Sequence, residues 1–410
     1  VPGEVGEFHA RYRRVLRAPA AEEARVAAAL RARVGGGAVL VVSLSHRHDQ
    51  TTIWWFEQGL LSLLAAAGLA ITLVTDARYG LDHVRLGELG ARLEIVRWRR
   101  GGADLAPLAR RGYGFAVALS PSDEALALAE AGGLPLVAFA VKEFEDAQPP
   151  LRRRPPGDLT LWHAFAGSRN FPCAAGRALG AHAAAWRLEG APFPVNRYYF
   201  PAAPAPGPAS AAAAPAGGEA AGPIDALIFG SQGRDLGTAF RALAHTGARR
   251  VAVLGNPEHL DEVRAAATAA GIAVEVHGPA RHLDLLRLVE RSRVVLNPIL
   301  PPLESHYSLA IPLAVGRPVV TNETPAAGAF VDPAHPGVTL VPPGDEAALV
   351  GALQALADPA VYASRCRAAR EQARTRHDMA RFFAAAMAAT VAGPAAGRAA
   401  PADGAGGARR

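Results

Sequence analysis

Three short stretches gather side chains able to move protons or hold phosphate. The first is Ser-His-Arg-His-Asp-Gln at 45–50, with His46, His48 and Asp49 close together. Imidazole titrates near neutral pH and an adjacent carboxylate can orient it, so the pair suits proton abstraction from a hydroxyl. A solvated polar loop has the same composition. The second is Gly-Ser-Gln-Gly-Arg at 230–234. Its glycines let backbone N–H groups approach a phosphate, with Arg234 supplying charge. It lacks the third glycine of the dinucleotide fingerprint, and a plain strand-to-helix turn accounts for it equally well. The third is Glu304, Ser305, His306, Tyr307 and Ser308. Here hydroxyls, an imidazole and the free N–H groups of a helix start converge, which suits a diphosphate or simply caps the helix. Lys142, the single lysine of the chain, closes an apolar run and precedes Glu143. Its ammonium could meet a diphosphate or an acidic acceptor, or be neutralised by that glutamate.

The surrounding patterns predict what positions these groups. Residues 38–44 form a continuous, largely β-branched run that reads as a buried parallel strand. The histidine loop follows it, then a helical segment capped by Thr51 or Thr52, then a second strand over 69–76. Trp54 and Trp55 at the helix start read first as core residues, with stacking on an acceptor ring as the second reading. Strands at 91–98, 114–120 and 135–141 continue the alternation, so the first half predicts an α/β, doubly wound, Rossmann-like sheet. Residues 201–223 are rich in Pro, Ala and Gly and read as a linker. Beyond it strands at 225–231, 249–255, 272–278 and 293–299 alternate with helices, followed by a helix at 305–315, strands at 318–322 and 337–341, and a helix from 345. This second alternation predicts a second Rossmann-like domain. The domain organisation is therefore 1–200, linker 201–223, 224–375, a helix at 376–392 returning to the first domain, and a disordered tail at 393–410. Ligands bind beyond the carboxyl ends of such strands, where the chemistry-bearing stretches fall, and two domains facing one another make a cleft.

With 410 residues and half of them hydrophobic, the chain can bury two cores. Its 43 basic against 37 acidic residues are scattered, with only short runs at 97–100 and 151–156, so nucleic acid is not implied. Near-exclusive use of Arg over Lys, with abundant Ala, Gly and Pro, fits a GC-rich bacterial coding bias. Cys173 and Cys366 are too few for a disulfide scaffold or metal cluster. The charged N-terminal residues have no apolar segment after them, and no stretch reaches about 18 uncharged apolar residues. The expectation is a cytoplasmic protein without a membrane span, peripheral membrane contact remaining open.

Residues 250–299, then "ESHYSLAIPLAVGRPVVTN" (304–322), then "GVTLVPPGDEAALVGALQALADP" (337–359) resemble the C-terminal, nucleotide-sugar-binding domain of GT-B glycosyltransferases, particularly the group 1 enzymes acting on polysaccharides and lipids. The first half is similar only in layout. The resemblance implies two Rossmann-like domains across a cleft and transfer of a sugar from a nucleoside diphosphate to an acceptor hydroxyl, with no cofactor and no metal. It implies that Gly233, Arg234, Ser305, His306, Tyr307 and Ser308 contact the donor diphosphate, and that His277 and Gly278 border the base. His48 or His46, oriented by Asp49, would be the base of an inverting reaction. The resemblance also has a gap. Retaining members carry two glutamates eight positions apart, the second five residues before the glycine corresponding to Gly316. Those positions hold Leu303 and Ile311, so Glu304, one place along, and Glu323, after the next strand, are the carboxylates that could replace them. Retaining and inverting chemistry both stay open. So do two other readings: a silent nucleotide-sugar-binding paralogue acting as regulator or scaffold, and a sugar-nucleotide epimerase of the same build.

Overall fold

The computed structural model describes residues 28–29, 31–32, 37–44, 51–76, 93–98, 104–140, 150–155, 157, 159–164, 170–190, 223–231, 233–255, 257–278, 282–300, 307–328, 330–332 and 334–391. The first domain runs β1 (Ala38–Ser43), α1 (Thr51–Ala66), β2 (Ala70–Asp76), β3 (Leu93–Trp98), α2 (Ala106–Ala109), β4 (Tyr113–Ala118), α3 (Asp123–Gly132), β5 (Leu136–Ala140), β6 (Leu159–His163), α4 (Asn170–Leu179) and β7 (Trp186–Gly190). Its sheet has the order β3-β2-β1-β4-β5-β6-β7 with every pairing parallel. The unbroken apolar run of β1 has a direct cause. Val39 and Val41 enter one core while Leu40 and Val42 enter another on the opposite face, so the strand has no solvent side. Helix α3 starts where the Ser122 hydroxyl accepts from Ala125 N at 3.1 Å and stops at Gly133, whose φ of +58° ends the turn.

The second domain runs β8 (Ile224–Phe229), α5 (Leu236–His245), β9 (Val251–Leu254), α6 (Leu260–Ala269), β10 (Val274–His277), α7 (His282–Arg291), β11 (Ser292–Asn297), α8 (Tyr307–Val315), β12 (Val319–Asn322), α9 (Pro325–Gly328), β13 (Val338–Val341), α10 (Glu346–Ala355), α11 (Pro359–Arg376) and α12 (Met379–Val391). The sheet order is β10-β9-β8-β11-β12-β13, again all parallel. Helix α8 is apolar all round: Leu309, Ala310, Ile311, Leu313 and Ala314 are each buried, so the helix belongs to the interior. Helix α12 leaves the second domain and packs on α1 and β5 of the first. Phe383 meets Phe139 at 4.8 Å and Phe56 at 6.0 Å, both edge to face, with Phe382 beside them.

Several boundaries differ from the sequence reading. The described part of α8 runs from Tyr307, residues 305 and 306 lying outside the described residues, and β10 and β11 end at His277 and Asn297. The sequence reading assigned no element to β6, α4, β7 or α11. Strand β6 is short and half-buried. Helix α11 buries a narrow stripe of Tyr362, Cys366, Ala369, Gln372 and Ala373, too small and polar to register as a periodic apolar face. Among the described residues no helix is long and apolar enough to cross a membrane. Residues 201–222 of the predicted linker and the tail at 393–410 lie outside the described residues.

Candidate functional site

The second sheet reverses its strand order at β8, between β9 and β11, so the ligand crevice expected of such a sheet lies where β8 and β11 end. Strand β8 stops at Phe229, and the chain turns through Gly230 and Gly233 with φ of +95° and +59°. This turn delivers Arg234, whose backbone bridges Ile299 in the loop after β11. Leu300 N donates to the Gly233 carbonyl at 2.9 Å and Asp235 N to the Pro298 carbonyl at 2.7 Å, fastening the two loops together. The Asp235 carboxylate then caps α5 by accepting from Thr238 N at 3.1 Å. The guanidinium folds back across Gly230, with Nε 3.4 Å from the Phe229 carbonyl. A Cβ on residue 230 would lie 2.9 Å from Nη2, so a side chain there would displace Arg234. Burial lowers the Arg234 pKa to about 10, leaving it charged at neutral pH but poorly hydrated, the state in which an anion is bound most strongly.

The floor beside this turn is made by residues the sequence reading did not single out. Asn297, Thr321 and Asn322, at the carboxyl ends of β11 and β12, are all buried. Thr321 Oγ1 donates to the Asn297 carbonyl at 2.7 Å, and Asn322 Nδ2 donates to the Ile299 carbonyl at 3.0 Å. Asn322 thereby holds the carbonyl of the residue that pairs with Arg234. Asn297 Oδ1 is buried and has no hydrogen-bond partner among the described residues. A legible signal was available: "VVLN" and "VVTN" are apolar strands that each end in asparagine.

On the other side of β8, Gly230 N donates to the Leu254 carbonyl at 2.8 Å and Gly255 N to the His277 carbonyl at 2.9 Å. His277 and Gly278 thus stand on the same rim as Arg234, two strands away. His277 Nε2 lies 2.9 Å from Glu275 Oε1 on the same edge strand. A Cβ on Gly278 would meet nothing within 4 Å, so this position is open. Glu323 is exposed just past β12, its N–H donating to the Val341 carbonyl at 2.9 Å. Tyr307 and Ser308 open α8, although their side chains lie outside the described residues, as do Glu304, Ser305, His306, His46, His48, Asp49 and Lys142.

In the first domain the corresponding rim includes Ser43, the buried last residue of β1, and His163, the last residue of β6. His163 stacks on Phe171 with centroids 4.1 Å apart, and burial lowers its pKa to about 4. A Cβ on Gly190 would come 2.5 Å from its ring, so this glycine makes space for the imidazole.

Residues 234–358 match the family model of glycosyl transferases group 1. No curated protein sequence matches the chain. Among solved structures, a glycosyltransferase from Rickettsia africae ESF-5 superposes with a TM-score of 0.62 at 10% identity, over 87% of this chain and 100% of that one. Anabaena Alr3699/HepE in complex with UDP gives 0.58 at 15% identity, over 87% and 99%. Sucrose-phosphate synthase from Thermosynechococcus elongatus gives 0.53 at 15% identity, over 85% and 97%. These superpositions extend over both domains, including the first, which the family model does not reach. The chain therefore has the two-domain GT-B fold, and within it residues 234–358 are similar to the group 1 glycosyl transferases.

Proposed function

We propose that the chain transfers a sugar from a nucleoside-diphosphate donor to an acceptor hydroxyl without a metal ion, the donor lying on the second domain and the acceptor on the first. The observation that carries this reading is Arg234, half-buried, charged and fixed by the 230–234 and 297–300 loops at the crevice between β8 and β11. Its charge would oppose the negative charge that builds on the departing diphosphate, together with the N–H groups at the start of α8. Ser305, His306, Tyr307 and Ser308 would complete that cradle, and His277 and Gly278 would border the base. The solved complexes of Alr3699/HepE with UDP-glucose support a nucleotide sugar as donor. His48 or His46, oriented by Asp49, would take the acceptor proton if the reaction inverts; Glu304 would face the donor if it retains. Lys142 and Glu323 are the remaining rim groups, and the reaction would take place in the cytoplasm.

Ile311 favours a second reading. The carboxylate of retaining enzymes is replaced there by a buried aliphatic side chain, which suits a paralogue that holds the nucleotide without turning it over. The test is a thermal-shift screen against nucleotide sugars, followed by calorimetry and turnover with the best ligand. Arg234→Ala should weaken the nucleotide by about 1.5–3 kcal/mol with the fold intact. Unchanged affinity removes Arg234 from the site, and tight binding without turnover selects the second reading.

A further inference from the structure

The amino ends of the second sheet, opposite the candidate site, carry an arginine cluster for which sugar transfer has no use. Arg293 is the second residue of β11, Arg317 precedes β12, and Arg370 projects from α11. Buried Tyr362 and Cys366, also on α11, lie among them. The Tyr362 hydroxyl donates to the Arg293 carbonyl at 3.0 Å and accepts from Arg317 Nη1 at 3.2 Å, while the Arg293 guanidinium sits 5.0 Å above the phenol ring. Gly316, with φ of +80°, admits the Arg370 stem: a Cβ there would lie 2.7 Å from its Cγ and Nε. The three cations are thus built into position by helix, strand and turn.

Arg293 Nη2 donates to the Leu356 carbonyl at 2.7 Å and Arg317 Nη2 to the Glu290 carbonyl, which leaves part of the cluster's donors unused. Arg370 Nη1 and Arg317 Nε are buried and have no hydrogen-bond partner among the described residues. No carboxylate among those residues forms an ion pair with Arg293, Arg317 or Arg370. Burial first, then the charges of Arg317 and Arg374, hold the Arg370 pKa below the usual guanidinium range, with Cys366 and Tyr362 acting in the opposite direction. Guanidinium groups so crowded and dehydrated are unfavourable unless an anion compensates them, and their planar forks match phosphate oxygens.

We propose that Arg317 and Arg370, backed by Arg293, form a second oxyanion site that takes a phosphate group, distinct from the donor crevice at the other end of the sheet. The phosphate belongs either to a small free anion or to a lipid headgroup. The test uses the full chain carrying Arg234→Ala, titrated with inorganic phosphate by calorimetry and thermal shift against sodium chloride of equal ionic strength. One saturable site and a rise in Tm are expected, with affinity falling at least about tenfold on Arg370→Gln or Arg317→Gln while the circular dichroism is unchanged. Phosphatidylglycerol vesicles separate the sources: cosedimentation lost with Arg370→Gln assigns a headgroup, and phosphate binding without cosedimentation assigns a free anion. Absence of saturable binding, or binding that survives both substitutions, overturns the site.

Discussion

At the second turn of α8, Ile311 puts a side chain without hydrogen-bonding atoms where retaining relatives of this domain carry a glutamate. It is 1% exposed and shares its core with Leu309, Ala310 and Leu313. If no other carboxylate replaces it, removing a ribose hydroxyl from the ligand leaves no protein group unpaired, so ribo- and deoxyribonucleotide diphosphates should bind within a few-fold of one another. A competition series measures this directly. A strong ribose preference that disappears in Glu304→Gln or Glu323→Gln would show instead that the carboxylate has moved. Restoring the residue should be unfavourable in the free protein: Ile311→Glu buries a carboxyl in apolar surroundings and should destabilise the chain by about 3 kcal/mol or more in urea unfolding. His163 supplies a pH test. Its folded pKa of about 4 lies below that of an exposed imidazole, so the unfolded chain binds the proton more readily. Stability from this ring is complete above about pH 6.5 and declines as the pH falls toward 4, by roughly 2–3 kcal/mol in all. His163→Gln should flatten that part of the acid-unfolding profile, and an unaltered slope would refute the assignment.

The elements that carry the site were legible to different degrees, for physical reasons. Strands β1, β4 and β5 and the carboxyl-terminal halves of β8 and β11 are buried on both faces, and that condition writes itself into the sequence as apolar runs. The Gly230 to Arg234 turn was visible because positive φ selects glycine and an anion selects arginine. What escaped notice was whatever depends on contacts between distant segments. Asn322 acts through the Ile299 carbonyl, and Asn297 through Thr321, pairings that no local spacing encodes. The return of α12 was an expectation from how such two-domain chains usually run, and its grip is a matter of three-dimensional packing. Phe383 is fully buried among Phe56, Phe139 and Phe382. Phe383→Ala should therefore cost about 3–5 kcal/mol and lower the Tm of the first domain together with that of the second. Calorimetry that shows the second domain alone affected would mean that α12 does not join the two.

For the molecule as a whole, the described chain passes between the domains where α11 meets α12. This crossing has no spacer. His377 ends α11, and the Asp378 carboxylate caps α12 by accepting from Ala380 N at 2.9 Å and Arg381 N at 3.1 Å. His377 is fully buried and stacks on Phe330 of the second domain at 4.7 Å, and Gln372 Nε2 donates to the Phe330 carbonyl. The joint is thus anchored to one domain while α12, immediately beyond it, is packed into the other. A relative movement of the domains must then be a rotation about 377–378, because sliding would pull Phe382 and Phe383 out of their aromatic cluster. Closure by such a rotation would bring the first-domain rim, with Ser43 and His163, toward Arg234 when a nucleotide occupies the crevice. Small-angle scattering with a saturating nucleotide sugar should show a smaller radius of gyration than the free chain. The Arg234→Ala chain under the same conditions should remain open, since the guanidinium that would reward closure is gone. Superimposable curves with and without ligand in the native chain, at concentrations where calorimetry shows the site filled, would establish that binding and domain rotation are uncoupled.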